Sequence, residues 1–145
     1  MPLISITRLR LRSLRYFPLF SWFTFVSARQ ARRSDGFLGG VVGSDAERGA
    51  WTMTAWRDEA AMRAFRNAAP HLKAMPRLLE WCDEASFAQW IQADAALPTP
   101  AEALRRMLAE GRRSKVSHPS AAHVAGKMAA SAPRTGFRLK SPGSS

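Results

Sequence analysis

The chain has 145 residues, 46% of them hydrophobic and 10% aromatic, with a formal net charge of +11. That length suits one domain with a modest core rather than two. A single cysteine, Cys82, excludes an intramolecular disulfide and a cysteine-rich metal site and suits a reducing, cytoplasmic setting.

Residues 3–12, LISITRLRLR, alternate with a period of two: Leu3, Ser5, Thr7, Leu9 and Leu11 share one face, and Ile4, Ile6, Arg8, Arg10 and Arg12 the other. This predicts a strand with one apolar face and one face that turns basic. The arginines precede an apolar run, Tyr16 to Val26, and Val26-Ser27-Ala28 imitates a signal-peptidase site. Pro18 and Trp22 interrupt that run, it is too short to span a bilayer, and cleavage there would delete the first strand and most of the first helix. The reading is therefore cytoplasmic.

Pro18 opens a predicted helix over residues 18–33, apolar in its first half and carrying Arg29, Gln30, Arg32 and Arg33 in its second, stopped by Ser34-Asp35-Gly36. Phe37–Gly43 and Ala50–Trp56 flank a turn of composition SDAERG and predict an antiparallel hairpin. In its second strand Trp51, Met53 and Ala55 share one face, and Thr52, Thr54 and Trp56 the other. Asp58 can cap the next helix, Pro70 breaks it, and a further helical piece runs from His71 to Trp81 with Pro76 as a kink. Ala85–Ile91 reads as a strand. Thr99-Pro100-Ala101-Glu102 is a capping box that starts a last helix, ended by Gly111.

The order strand, helix, strand, strand, helix, strand predicts an α+β, ferredoxin-like βαββαβ domain over residues 1–112: a four-stranded antiparallel sheet with its main helices on one face. The other face would lie bare, so a second copy is expected to cover it in a homodimer. All five tryptophans lie before residue 91, whereas residues 113–145 hold one aromatic, Phe137, among Ser, Ala, Pro and basic side chains. That composition predicts a disordered basic tail.

Charge follows the same division. Residues 1–34 carry seven basic and no acidic side chains, residues 35–99 six and nine, and residues 100–145 nine and two. The isoelectric point near 11.5 raises nucleic-acid binding, but the middle of the chain is acidic and no recognition-helix, zinc-finger or RNP motif is present. The expected contact is weak and nonspecific, between the basic termini and polyanions or anionic membranes, with no specific nucleic acid. Nor is there a G-x-G-x-x-G, Walker, H-E-x-x-H or G-x-S-x-G motif.

The stretches TRLRLRS (7–13), SARQARRSDGFLGG (27–40), WTMTAWRDEAAMRAF (51–65) and HLKAMPRLLEWCDEASFAQW (71–90) resemble a bacterial family of uncharacterised proteins, DUF3291. A W-x-x-x-x-W strand followed by A-F-x-x-x-x-x-H is similar, more loosely, to spheroidene monooxygenases. Through them the chain resembles the antibiotic-biosynthesis-monooxygenase superfamily of dimeric α/β barrels. The resemblance implies that fold and a monooxygenase-like activity on an apolar, aromatic or polyene substrate, with haem as a cofactor or with none. Its alternatives are a non-catalytic barrel that binds a small apolar ligand, and a membrane-surface or polyanion-binding protein.

His71 is the one histidine of the expected domain, at a predicted helix start that favours the neutral ring. The residues alone favour a partly exposed histidine bonded to nearby backbone; the resemblance adds a catalytic role or a proximal haem ligand. Arg8 is the candidate for pairing with haem propionates or another carboxylate, Arg10 and Arg12 fitting a solvated rim. Trp51, Met53, Trp56 and Phe65 are candidate walls of an apolar pocket, although aromatics so spaced commonly form plain core. Asn67, just before His71, is a candidate for orienting a substrate. Cys82 reads as a small buried hydrophobe, and Asp58-Glu59 and Asp83-Glu84 as helix-start and loop charges.

Overall fold

The computed structural model of the chain describes residues 1–68, 71–126 and 131–140. Strand β1 (Leu3–Leu11) is followed by a short turn of 3-10 helix, helix α1 (Phe17–Arg33), the hairpin β2 (Phe37–Ser44) and β3 (Gly49–Trp56), helices α2 (Glu59–Arg66) and α3 (His71–Trp81), β4 (Cys82–Ile91) and α4 (Pro100–Glu110). The four strands are antiparallel in the order β4-β1-β3-β2, the ferredoxin-like arrangement that the sequence predicts. The helix break expected at Pro70 lies outside the described residues.

Local chemistry sets the ends of these elements. The Asp58 side chain accepts the Ala61 N–H at the start of α2, and Thr99 accepts that of Glu102 at the start of α4. The second half of the expected capping box is diverted: the Glu102 carboxylate pairs with Arg105 and Arg106 instead. At Gly36, with φ +84°, a side chain would also strike Cβ of Ala61 at 2.6 Å, so the α1–β2 turn requires glycine for backbone and packing alike.

Two expectations are corrected. The sheet has six strands, not four, because β5 (Arg112–Arg113) pairs with β4 and β6 (Arg134–Leu139) with β2, both within or bordering the segment expected to be a disordered basic tail. Between them, Ser114, Ser117 and Ser120 donate their backbone N–H groups to Ala85, Leu79 and Asp83, and Val116 is buried against Cys82 and Ala85. A segment poor in apolar side chains is ordered here by backbone pairing with the open edges of an existing sheet, a contribution that composition does not measure.

The second correction concerns the bare face. The face carrying Leu3, Phe37 and Trp56 packs against Ala31 of α1 and Ala61 and Met62 of α2. The opposite face, with Ile4, Ile6, Trp51, Met53, Ala55 and Ala88, is covered within the chain by Ala103 and Met107 of α4, with Leu97 and Leu104 beside them. Helices therefore lie on both faces, and the uncovered sheet that motivated a second copy is already buried.

The second face also buries charge. Arg8, 1% exposed, donates from Nε to Asp45 Oδ2 at 2.7 Å and from Nη1 to Glu84 Oε2 at 2.6 Å. Asp45 Oδ2 also accepts the Trp51 indole N–H at 2.8 Å, and its Oδ1 accepts the backbone N–H groups of Glu47 and Gly49 that close the β2–β3 turn. Burial alone would raise the Asp45 carboxyl, but the bonds from Arg8, Trp51 and Gly49 together outweigh it and hold the group below its ordinary value.

Removing one carboxylate from this buried network leaves Arg8 with Glu84 alone and gives its Nε, the Trp51 indole and the turn N–H groups a weaker acceptor. Asp45→Asn is expected to lower unfolding free energy by about 3 kcal/mol in urea titrations. Because the folded pKa lies below the unfolded one, Asp45 contributes stability above about pH 4 that is lost as pH falls through the folded value. The variant's stability should therefore fall less steeply in acid than the wild type's; equal slopes would refute the assignment.

Candidate functional site

On the helix-covered face, a line of rings runs from the sheet outward. Trp56 meets the edge of Phe37 at 5.3 Å and stacks on Phe65 of α2 at 5.1 Å, and Phe65 meets the His71 ring at 4.9 Å. Trp56 is buried because its strand position faces the helices, and its indole N–H is satisfied by Thr54 Oγ1 at 2.9 Å, two residues back on the same face.

Gln30 of α1 holds the junction between α2 and α3. Its Nε2 donates to the carbonyls of Phe65 and Ala68 at 3.1 and 3.2 Å, and its Oε1 accepts the His71 backbone N–H at 3.0 Å. One side-chain amide thus satisfies two carbonyls at the end of one helix and an orphan N–H at the start of the next. In the sequence Gln30 is simply one polar residue among arginines.

The His71 ring is half-buried, with Nδ1 3.2 Å from the Arg66 carbonyl. A carbonyl only accepts, so Nδ1 carries the proton of the neutral ring and Nε2 the lone pair. Burial pushes the His71 pKa down; the bond to Arg66 opposes this, and the Arg66 charge adds to it. The neutral ring expected from the sequence is thus favoured, with burial as the main cause.

The other expected site residues separate. Trp56, Phe65 and His71 are contiguous. Arg8, Trp51 and Met53 lie on the opposite face of the sheet, in the ion-paired and α4-covered layer. Asn67 is exposed at the C-terminal end of α2, where its backbone N–H is bonded to the Arg63 carbonyl. Cys82 is fully buried, and burial pushes its thiol up to about 12, so it carries no thiolate chemistry at neutral pH.

This arrangement does not fit the expected grip on a haem. An iron ligand at His71 and a propionate anchor at Arg8 would stand on opposite faces of one sheet, and the Arg8 guanidinium already serves Asp45 and Glu84. No single planar group reaches both.

A groove of about 630 Å³ runs between α1 and α2. Val26, Ala60, Ala61, Ala64, Phe65 and Ala68 give it an apolar lining, and Arg29, Arg33 and Arg57 bring three guanidinium groups, with Gln30, Ser34 and Asp35 between. Asp35 pairs with Arg57 at 3.2 Å; among the described residues Arg29 and Arg33 have no carboxylate partner. The sequence shows these arginines as a basic helix end, but not that α2 turns a small-residue face toward them. Phe65 joins the groove to the ring line that ends at His71.

The chain matches no protein-family model and no curated protein in sequence. Its fold does match solved structures: Rv0793 from Mycobacterium tuberculosis (TM-score 0.60, 15% identity, covering 66% of this chain and 99% of that one), a candidate antibiotic biosynthesis monooxygenase from Nitrosomonas europaea (0.57, 14%, 63% and 89%), and SnoaB, a cofactor-independent oxygenase from Streptomyces nogalater (0.54, 13%, 64% and 94%). At these identities the matches show a shared fold, and two of the three structures carry oxygenase names.

Since the His71 pKa is lower folded than unfolded, its contribution to stability is complete above its unfolded value of about 6.5 and declines as pH falls toward the folded value. His71→Phe keeps a ring against Phe65 and removes the titration. Urea midpoints should therefore drop more between pH 7.5 and 5.5 in the wild type than in the variant; parallel drops would place His71 in solvent.

Proposed function

We propose that the chain is a monooxygenase-like protein that binds a flat apolar molecule bearing an acidic oxygen in the α1–α2 groove and oxidises it without a bound cofactor. The observation that carries this reading is the groove, with an apolar lining of the volume that small ligands occupy and guanidinium groups at its rim. The fold shared with SnoaB, named a cofactor-independent oxygenase, supports it. The sequence resemblance to DUF3291 and to spheroidene monooxygenase belongs with the same reading and extends the substrate class to polyenes.

The chemistry follows from charge. A phenol, hydroquinone or enol beside Arg29 and Arg33 gives up its proton more readily, because cations favour the anion. The electron-rich anion then reduces dioxygen itself. Oxidation of a ring methylene to a ketone supplies all the electrons dioxygen needs when one oxygen atom enters the product and the other leaves as water, so no outside reductant is required. The proton leaves to water at the open mouth of the groove; His71, neutral and behind the Phe65 ring, supports the groove wall without reaching the ligand.

One observation favours a second reading, a binding protein without catalysis: the carboxylate in the groove wall, Asp35, is engaged by Arg57 at 3.2 Å. Oxygen uptake in the presence of hydroquinones and anthrones, alongside equilibrium binding, separates the two. Uptake above the spontaneous rate, abolished by Ala64→Trp in the groove, supports the oxygenase. Arg33→Ala is expected to weaken binding about 10- to 100-fold, the worth of a charge-assisted hydrogen bond. Binding without uptake leaves the second reading, and unchanged binding in both variants removes the groove from either.

A further inference from the structure

Helix α1 presents an outward stripe whose residues recur at three- and four-residue spacing: Pro18, Trp22, Phe25, Arg29 and Arg32, all exposed. Its first half is aromatic. Trp22 is 61% and Phe25 59% exposed, their rings stacked at 6.1 Å, with Phe17 and Leu19 exposed alongside. Its second half is cationic, with Arg33 exposed beside Arg29 and Arg32. Arg15, exposed, precedes the helix, and Arg77 of α3 lies over the Phe23 ring on its flank.

Large rings clustered on a surface need an occupant, since water solvates them poorly. The surrounding charge selects which. Residues 1–34 contain no acidic side chain, and the acidic neighbours are Asp35, already paired with Arg57, and Glu80 at the end of α3. An apolar patch ringed by cations matches the boundary between acyl chains and anionic headgroups, where Trp and Phe enter the apolar zone and arginines stay with the phosphates. The axial spacing fits entry by the N-terminal end of the helix: Arg29 lies four residues, about 6 Å, beyond Phe25, so inserted rings leave the guanidinium at a shallower level. Among the described residues no helix is long and apolar enough to cross a membrane.

We propose that α1 docks this protein on an anionic lipid surface, with Phe17, Leu19, Trp22 and Phe25 inserted at the interface and Arg15, Arg29 and Arg32 on headgroup phosphates. Arg29 also borders the groove, so the variants that test this docking leave it in place. Docking adds a location: a protein so held meets apolar substrates where they dissolve.

The test is co-sedimentation of the full chain with vesicles of phosphatidylcholine alone or with about one-third phosphatidylserine, at low and high salt. Preferential, salt-sensitive binding to the anionic vesicles is expected. Trp22→Ser with Phe25→Ser should lower partitioning at least about tenfold, and Arg15→Gln with Arg32→Gln about 25-fold, near fivefold for each charge. All four positions are exposed, and thermal melting checks that the variants fold. Absence of binding overturns the proposal, as does equal binding to both vesicle types. Binding insensitive to the aromatic changes but abolished by Arg112→Gln, Arg113→Gln and Lys115→Gln would assign it to the C-terminal charges. Concentration-dependent self-association that the aromatic changes abolish, without vesicle binding, would make a second copy the occupant.

Discussion

One carboxylate, Asp45, organises more of this molecule than any other side chain. A charge removed from water persists only when its hydrogen-bonding capacity is met. Asp45 meets it with two backbone N–H groups of its own turn, the Trp51 indole and the Arg8 guanidinium. The β2–β3 turn is thereby closed and locked to β1. Arg8 carries the network on to Glu84 of β4, and Ser120, donating to Glu84 at 3.0 Å, brings in the C-terminal segment. Gly49 stands where any side chain would collide with both Arg8 and Asp45. A slip of one residue in β1 would exchange the buried guanidinium for Thr7 or Leu9 and take away the cation that Asp45 and Glu84 share, so the network specifies the register as well as stabilising it.

That network also divides the molecule. The face holding it is closed by α4 and needs no ligand to complete it. The other face meets α1, α2 and α3, and the chemistry available to a small molecule collects there: the rings of Trp56 and Phe65, the neutral His71, the Gln30 clamp and the guanidinium-lined groove. Strand alternation makes this separation unavoidable. Trp51 and Trp56 are five residues apart on one strand, so an odd step sends them to opposite faces, and no pocket on one face can use both.

Residues 112–126 and 131–139 show how little apolar surface an ordered segment needs when it has backbone to pair with. β5 lies on the β4 edge and β6 on the β2 edge, so the two outer strands of the ferredoxin-like core each gain a neighbour. Open edges are templates for unwanted association, and covering them serves solubility as well as stability. The contribution of side chains is small but placed: Val116 against Cys82, His123 buried with Nε2 2.9 Å from the Ser114 carbonyl, and Leu139 against the Trp56 cluster.

What the sequence by itself determined was local. Period-two alternation in residues 3–12, the caps at Asp58 and Thr99, and the turn composition of residues 44–49 placed strands, helix starts and hairpin close to where they stand, because each depends on neighbours within a few residues. The neutral state of His71 was also legible, although burial rather than the helix end is its main cause. Only the tertiary structure decided which side chains meet. Arg8, read as a contact for an outside anion, finds Asp45 and Glu84 at sequence separations of 37 and 76. Arg29 and Arg33, read as a basic helix end, become the wall of a groove because α2 packs beside them, and a tail read as disordered becomes two strands because sheet edges elsewhere were free to receive it. Ion pairing, groove formation and edge pairing depend on distance in space, and no local pattern in the chain encodes that distance.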